Sequence, residues 1–102
     1  MLLHIVLVNF RDDVSDEHKQ EIYNELHGLV GRIDGVSSMR FGPNVSPEGL
    51  SKGYRDGFVM ELRDAEARDR YLAHPDHKAA GAKLVAAADG GLEGILPFDL
   101  EV

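Results

Sequence analysis

The chain contains no cysteine and no tryptophan, and only 7% of its 102 residues are aromatic. Without cysteine it has no disulfide, no thiolate nucleophile and no cysteine-ligated metal site, which fits a reducing cytosol. No apolar run approaches the ~20 residues that cross a bilayer. Eleven basic side chains stand against 18 acidic ones, and the net charge of −7 disfavours nucleic acids and anionic membranes as partners. We therefore expect a cytoplasmic protein.

The remaining composition is that of an ordinary folded domain. Hydrophobic residues make up 43% of the chain and charged residues 28%, both typical of globular proteins. A single domain typically holds ~100–150 residues. We expect one domain that spans residues 1–102.

The first apolar segment, residues 3–10, predicts a strand that is covered on both faces. Leucine and isoleucine occupy the odd positions 3, 5 and 7, and apolar residues also occupy the even positions 6, 8 and 10. A strand with one exposed face would alternate with polar residues instead. Helices can cover one face, and something else must cover the other.

A helix should follow this strand, with Ser15 as its N-cap and acidic residues in its first turn. Its apolar stripe predicts that it continues to Gly35; the stripe consists of Ile22, Leu26, Leu29, Val30 and Ile33. A second strand is expected at about residues 36–41. Prolines and glycines then predict a loop over residues 42–53.

The second half of the chain repeats this order. A strand is expected at about residues 54–62, followed by a short helix that Asp64 caps. His74 precedes a proline and should break the helix, because a residue before proline disfavours helical geometry. Asp76 is expected to cap the continuing helix. A last strand at residues 92–100 contains Pro97, which predicts an edge position or a bulge because proline cannot donate a ladder hydrogen bond.

The resulting β-α-β-β-α-β order predicts an α+β, ferredoxin-like fold with a four-stranded antiparallel sheet. Helices on one face of such a sheet leave the other face open. That face would carry one of the two apolar sets of the first strand, a patch larger than monomers usually expose. A homodimer that packs sheet face on sheet face covers it most simply.

The whole chain resembles the Dabb family, the stress-responsive dimeric α/β-barrel proteins. The resemblance implies the ferredoxin-like fold and the barrel-forming dimer. The segments that carry it are His4-Ile5-Val6-Leu7, residues 44–54 (NVSPEGLSKGY), residues 71–77 (YLAHPDH) and Phe98-Asp99.

One plant branch of this family, polyketide cyclases of the olivetolic acid type, is distantly similar. That branch closes a ring by an intramolecular aldol reaction without metal or cofactor, and its tyrosine and histidine match Tyr71 and His77. A strand histidine of the branch matches His4. The chain departs from it at Asp56, where that branch has a pocket histidine, and at positions such as Ala88, where its pocket residues are bulkier.

The residue types at 77 and 71 suit acid–base chemistry in a pocket between sheet and helices. An imidazole is the side chain best suited to accept a proton near neutral pH, and small residues beside His77 leave room next to its ring. Tyr71 can donate its hydroxyl to a carbonyl as an enolate develops. The alternative is structural: a satisfied core histidine, and a tyrosine that packs its ring.

Three further residues are candidates for substrate contact. His4 and Asp56 should lie on neighbouring strands, where they can form a buried pair in which the carboxylate orients the imidazole; alternatively Asp56 lies solvated at the rim. His74 stands three residues before His77, a spacing that resembles a two-histidine metal site. No acidic residue completes that set, so we expect no metal, and His74 can instead cap the helix break.

Tyr54 and Phe58 can line the interior, although core packing is the usual use of such side chains. No glycine-rich nucleotide motif is present, so no cofactor is expected. The sequence leaves three functions open: a cofactor-independent cyclase-like or lyase-like enzyme that binds a small apolar or aromatic carbonyl compound, a non-catalytic stress-responsive dimer, and, by fold analogy alone, a cofactor-independent monooxygenase.

Overall fold

The computed structural model describes residues 1–102 and contains four strands, three helices and a short 3-10 turn. Along the chain these are β1 (Leu2–Val8), α1 (Asp16–His27), β2 (Val36–Pro43), β3 (Asp56–Leu62), α2 (Ala65–Ala73), α3 (Pro75–Ala87), the turn Gly91–Gly94 and β4 (Ile95–Glu101). This is the predicted ferredoxin-like α+β fold. No helix combines the length and apolarity that a membrane crossing requires.

Local capping explains where the helices begin. The Ser15 hydroxyl accepts a hydrogen bond from the backbone N–H of His18 at 3.1 Å, and Asp64 accepts one from Ala67 at 2.9 Å, so both predicted N-caps are confirmed. The cap of α3 differs from the prediction. His74, not Asp76, is its N-cap, and Pro75 occupies the first turn, where its missing N–H costs nothing.

Two element boundaries differ from the prediction by more than two residues. Helix α1 ends at His27, with Gly28 as its C-cap, rather than near Gly35, and Leu29 and Ile33 after it are buried in turns. Leu29 and Ile33 are apolar because they pack into the core. Their spacing therefore matched that of a helix, although their backbone is not helical. Strand β4 begins at Ile95, and Leu92 belongs to the preceding turn.

The four strands form one antiparallel sheet in the order β2-β3-β1-β4. Strand β1 therefore lies inside the sheet, and β4 lies at its edge, as Pro97 predicted. Residues at even positions of β1 are buried under the helices, whereas those at odd positions are half-exposed. Buried side chains from the sheet and the helices form one hydrophobic cluster.

The sheet face opposite the helices is open and apolar. Of the two apolar sets of β1, the structure places the odd set there: Leu3 pairs with Leu100, Ile5 with Phe98 and Leu7 with Leu96. The β4 members are strongly exposed, with Phe98 at 57%. Val59 of β3 lies opposite Ile5 and extends the patch. We call this surface, formed by Leu3, Ile5, Leu7, Val59, Leu96, Phe98 and Leu100, the open sheet face.

Candidate functional site

A cavity of about 340 Å³ lies between the helix-covered sheet face and helices α2 and α3. Buried residues from the sheet and helices form its floor, among them His4, Phe58 and Tyr71. Exposed residues such as Leu72, Lys78 and Leu92 form its rim. Mostly apolar walls with a few convergent polar groups are typical of small-molecule sites.

His77 lies in the first turn of α3 and is half-buried. Its Nδ1 lies 3.3 Å from the backbone oxygen of Leu72. A carbonyl oxygen can only accept, so Nδ1 carries the hydrogen and Nε2 holds the lone pair of the neutral ring. Nε2 faces Gly81, where a methyl group would stand 3.9 Å away, and no side chain from that position obstructs it.

The protonation state of His77 also suits a base. Burial lowers the pKa of the imidazole below its ordinary value, the hydrogen bond to Leu72 opposes this, and electrostatic interactions with His4 and Lys78 lower the pKa further. The ring is therefore neutral at pH 7. A neutral imidazole with a free Nε2 can accept a proton.

Tyr71 lies near the end of α2, and its side chain is fully buried. Its hydroxyl has no hydrogen-bond partner within the chain, which is rare for a buried polar group and costly. The ring centroid lies 4.3 Å from that of His77 and 5.8 Å from that of His4. Burial raises the pKa of Tyr71, so the phenol keeps its proton and remains a donor.

His4 lies on β1 and is held by a carboxylate from β4. Its Nδ1 donates to Asp99 Oδ1 at 2.6 Å, and Arg68 of α2 binds the other carboxylate oxygen at 3.2 Å. A carboxylate bonded to one ring nitrogen orients the imidazole and selects its tautomer. The second nitrogen of His4, Nε2, then remains for the cavity.

The expected pair between His4 and Asp56 does not form. The register places Met60 opposite His4 and Asp56 opposite Val8, four residues away along β1. Asp56 instead binds the Lys19 ammonium at 3.3 Å. Asp99 was not predicted as a site residue, although it stands directly opposite His4 in the β1–β4 register. The alternation of buried and exposed positions along the two strands was the signal that could have identified it.

The other candidates divide between the cavity and the rest of the surface. Phe58 is part of the cavity floor. Tyr54 and Asp56 line a separate depression of about 370 Å³ beside the loop after β2, away from His77. His74 serves as the cap considered above: its Nδ1 accepts the backbone N–H of Asp76 at 3.1 Å.

The cavity therefore gathers His77, Tyr71, His4 and Phe58, and leaves Tyr54, Asp56 and His74 outside. Nowhere do three histidine or acidic side chains come together in a metal-binding cluster. What the arrangement offers is one proton acceptor, one unpaired donor and an oriented second imidazole around an apolar space.

The amino-acid sequence is similar to a known protein family and to individual members of it. The family model of the stress responsive A/B barrel domain (Dabb) matches residues 2–102. The stress-response A/B barrel domain-containing protein HS1 of Arabidopsis thaliana is 35% identical over 96 residues, which cover 94% of this chain and 84% of that protein. Olivetolic acid cyclase of Cannabis sativa is 23% identical over 78 residues, 76% of this chain and 77% of that protein.

A solved structure agrees with the fold. A dimeric ferredoxin-like protein of unknown function from Jannaschia sp. superimposes with a TM-score of 0.91 and is 37% identical. The match covers 99% of this chain and 98% of that one.

Proposed function

The chain belongs to the Dabb family of stress-responsive A/B barrel domains, and we propose that it is a homodimeric, cofactor-independent enzyme that removes a proton next to a carbonyl group of a small apolar or aromatic compound. The observation that carries the proposal is the cavity lined both by Tyr71, whose hydroxyl is unpaired, and by His77, whose Nε2 makes no hydrogen bond. The named activity of the 23%-identical cyclase supports the same type of chemistry.

The reaction follows from the roles of the two side chains. His77 Nε2 takes the proton from the carbon beside the carbonyl, and the electron pair of that C–H bond moves into an enolate. The negative charge develops on the carbonyl oxygen, where the Tyr71 hydroxyl donates its hydrogen bond. The enolate carbon then either takes the proton back or attacks a second carbonyl, whose oxygen takes up the π electrons and then the proton from the His77 imidazolium. Apolar walls exclude water and strengthen both interactions.

The open sheet face supports the homodimer. Its leucine, isoleucine, valine and phenylalanine side chains would lie in water on a monomer, and contiguous apolar patches larger than a few hundred Å² mark interfaces. The 37%-identical structure is that of a dimeric protein. A twofold contact between two copies of this face would bury the patch on both.

Hydrogen exchange in a simple ketone tests the chemistry without knowledge of the natural substrate. Phenylacetone in D₂O exchanges its α-hydrogens through an enolate, and NMR follows the loss of their signals. We expect the wild-type protein to accelerate this exchange over buffer, since a positioned general base contributes roughly 10²–10⁴-fold. His77→Ala should return the rate to that of buffer.

His27→Ala is the matched control, because His27 is an exposed histidine at the end of α1 and does not line the cavity. This variant should accelerate the exchange of the α-hydrogens of phenylacetone as much as the wild type does. A wild-type rate equal to that of buffer, with the ketone shown to bind, would favour a non-catalytic binding protein instead. Equal loss in both histidine variants would show that the exchange does not occur at the cavity.

A further inference from the structure

The lining of the cavity has an unusual charge distribution for this chain. None of its fifteen lining residues is acidic, although the chain carries 18 acidic side chains and a net charge of −7. The polar residues that line it are His4, Tyr71, His77 and Lys78. A negatively charged ligand would meet no carboxylate there.

Lys78 differs from most cations of the chain in having no carboxylate partner. Eight of the 11 lysines and arginines form an ion pair within 4.0 Å. Of the three that do not, Arg40 lies on β2, Lys52 lies in the loop after it, and Lys78 lines the cavity. The one unpaired cation beside the pocket thus has its ammonium available to a ligand.

Two other features favour an acidic group at the same end of the cavity. Lys78 and His77 belong to the first turn of α3, a helix of 13 residues, and a helix dipole places positive partial charge at that end. The Tyr71 hydroxyl is fully buried and has no acceptor. A ligand oxygen would satisfy this donor and remove the cost of leaving it unpaired.

We propose that the ligand is a small carboxylic acid with an apolar body, and that Lys78 at the rim determines this specificity by binding its carboxylate. The apolar body would contact the floor of the cavity, whose volume of about 340 Å³ lies within the usual range for small-molecule sites. The inference rests on the proposed function, because it assigns a ligand class to the same cavity.

Two fluorescent probes of nearly equal shape, one charged and one neutral, measure the effect of the ligand's charge on binding. 2-Naphthylacetate carries the carboxylate, and 2-naphthylacetamide replaces it with a neutral amide. We expect wild-type protein to bind the acetate about three- to tenfold more tightly, the range for a charge contact at a partly exposed site. Added salt should weaken binding of the acetate and leave that of the amide unchanged, because salt screens exposed charges.

Two variants of Lys78 then test whether this residue causes the preference for the acetate. Lys78→Gln should bind both probes alike, and Lys78→Arg should keep the preference for the acetate. Lys52→Gln is the control, since it removes the same charge from another unpaired lysine outside the cavity. Equal binding of the two probes by wild type, or a preference that survives Lys78→Gln, would overturn the inference, and so would its loss in Lys52→Gln.

The same titrations separate this inference from the proposed function. If wild type binds both probes equally, and Gly81→Leu abolishes the binding of both, the cavity binds apolar compounds and only the carboxylate specificity is wrong. If neither probe binds, or if Gly81→Leu leaves binding unchanged, both proposals fail. The Gly81 position is suitable because a side chain there would extend beside His77 Nε2.

Discussion

Replacing Tyr71 by phenylalanine should make the protein more stable and less active. The hydroxyl that the change removes lies in a fully buried side chain and has no hydrogen-bond partner within the chain. The ring, which contacts His77 and His4, stays in place. The substitution therefore removes a desolvated polar group without opening a cavity.

The magnitude follows from the cost of burying such a group. An unsatisfied buried hydroxyl costs about 1–3 kcal/mol, and phenylalanine fills nearly the same volume. We expect Tyr71→Phe to raise the free energy of unfolding by about 1 kcal/mol, at the lower end of that cost, which corresponds to a melting temperature roughly 4–8 °C higher for a domain of this size. The phenylacetone exchange rate should fall about 10²-fold, the usual effect of losing one donor to a developing oxyanion.

Tyr23→Phe provides a matched control. Tyr23 is also buried, at 4% exposure, and its hydroxyl is likewise unpaired, but it does not line the cavity. This variant should gain similar stability and keep the wild-type exchange rate. Urea denaturation at one fixed protein concentration measures both gains, since the stability of a dimer depends on concentration.

A Tyr71→Phe protein that is less stable than wild type would refute the reasoning, because it would mean that the hydroxyl has a stabilising partner. An unchanged exchange rate with higher stability would instead remove Tyr71 from the proposed chemistry. The two readouts are independent, so each part of the prediction can fail alone.

Three further changes test other parts of the structure. Asp99→Asn should lower the free energy of unfolding by roughly 1–3 kcal/mol in denaturation experiments, because it replaces the charged partner of His4; no change would show that the pair is not formed. Phe98→Asp should produce folded monomers in sedimentation experiments, since it places charge on the open sheet face, and a persistent dimer would argue for another interface. The pKa of His77, followed by NMR, should lie below its value in urea (~6.5). Its proton-accepting form is then lost only as the pH falls through that lower value, and protein stability also declines as the pH drops below ~6.5, because the unfolded state binds the proton more readily.

Much of the fold was predictable from short-range patterns. Two-sided apolarity in residues 3–10 correctly indicated a strand covered by helices on one face, and Pro97 correctly indicated an edge strand. Ser15 and Asp64 located helix starts because N-caps depend on neighbouring residues alone. The end of α1 was not predictable in this way, since Leu29 and Ile33 are buried by tertiary packing whether or not their backbone is helical.

Four residues that line the candidate site, His4, Phe58, Tyr71 and His77, were among the predicted candidates, but the partner of His4 was not. Tyr71 and His77 are six residues apart around the helix break, and the structure places both on the predicted cavity. The Asp99 partner of His4 is 95 residues away, and its identification requires the register between β1 and β4. Without that register, Asp56 on the other neighbouring strand was an equally reasonable choice.

Strand β1 contributes side chains to two surfaces, the cavity on one side of the sheet and the open sheet face on the other. Its even positions present His4 and Val6 to the cavity, and its odd positions, Leu3, Ile5 and Leu7, belong to the open sheet face. Point substitutions can thus change the cavity lining without changing the open sheet face, and the reverse. A single-residue insertion or deletion within β1 would exchange the two sets, moving the imidazole out of the cavity and an aliphatic chain into it. Over evolution, we expect this strand to vary in residue type at each position while its length stays constant.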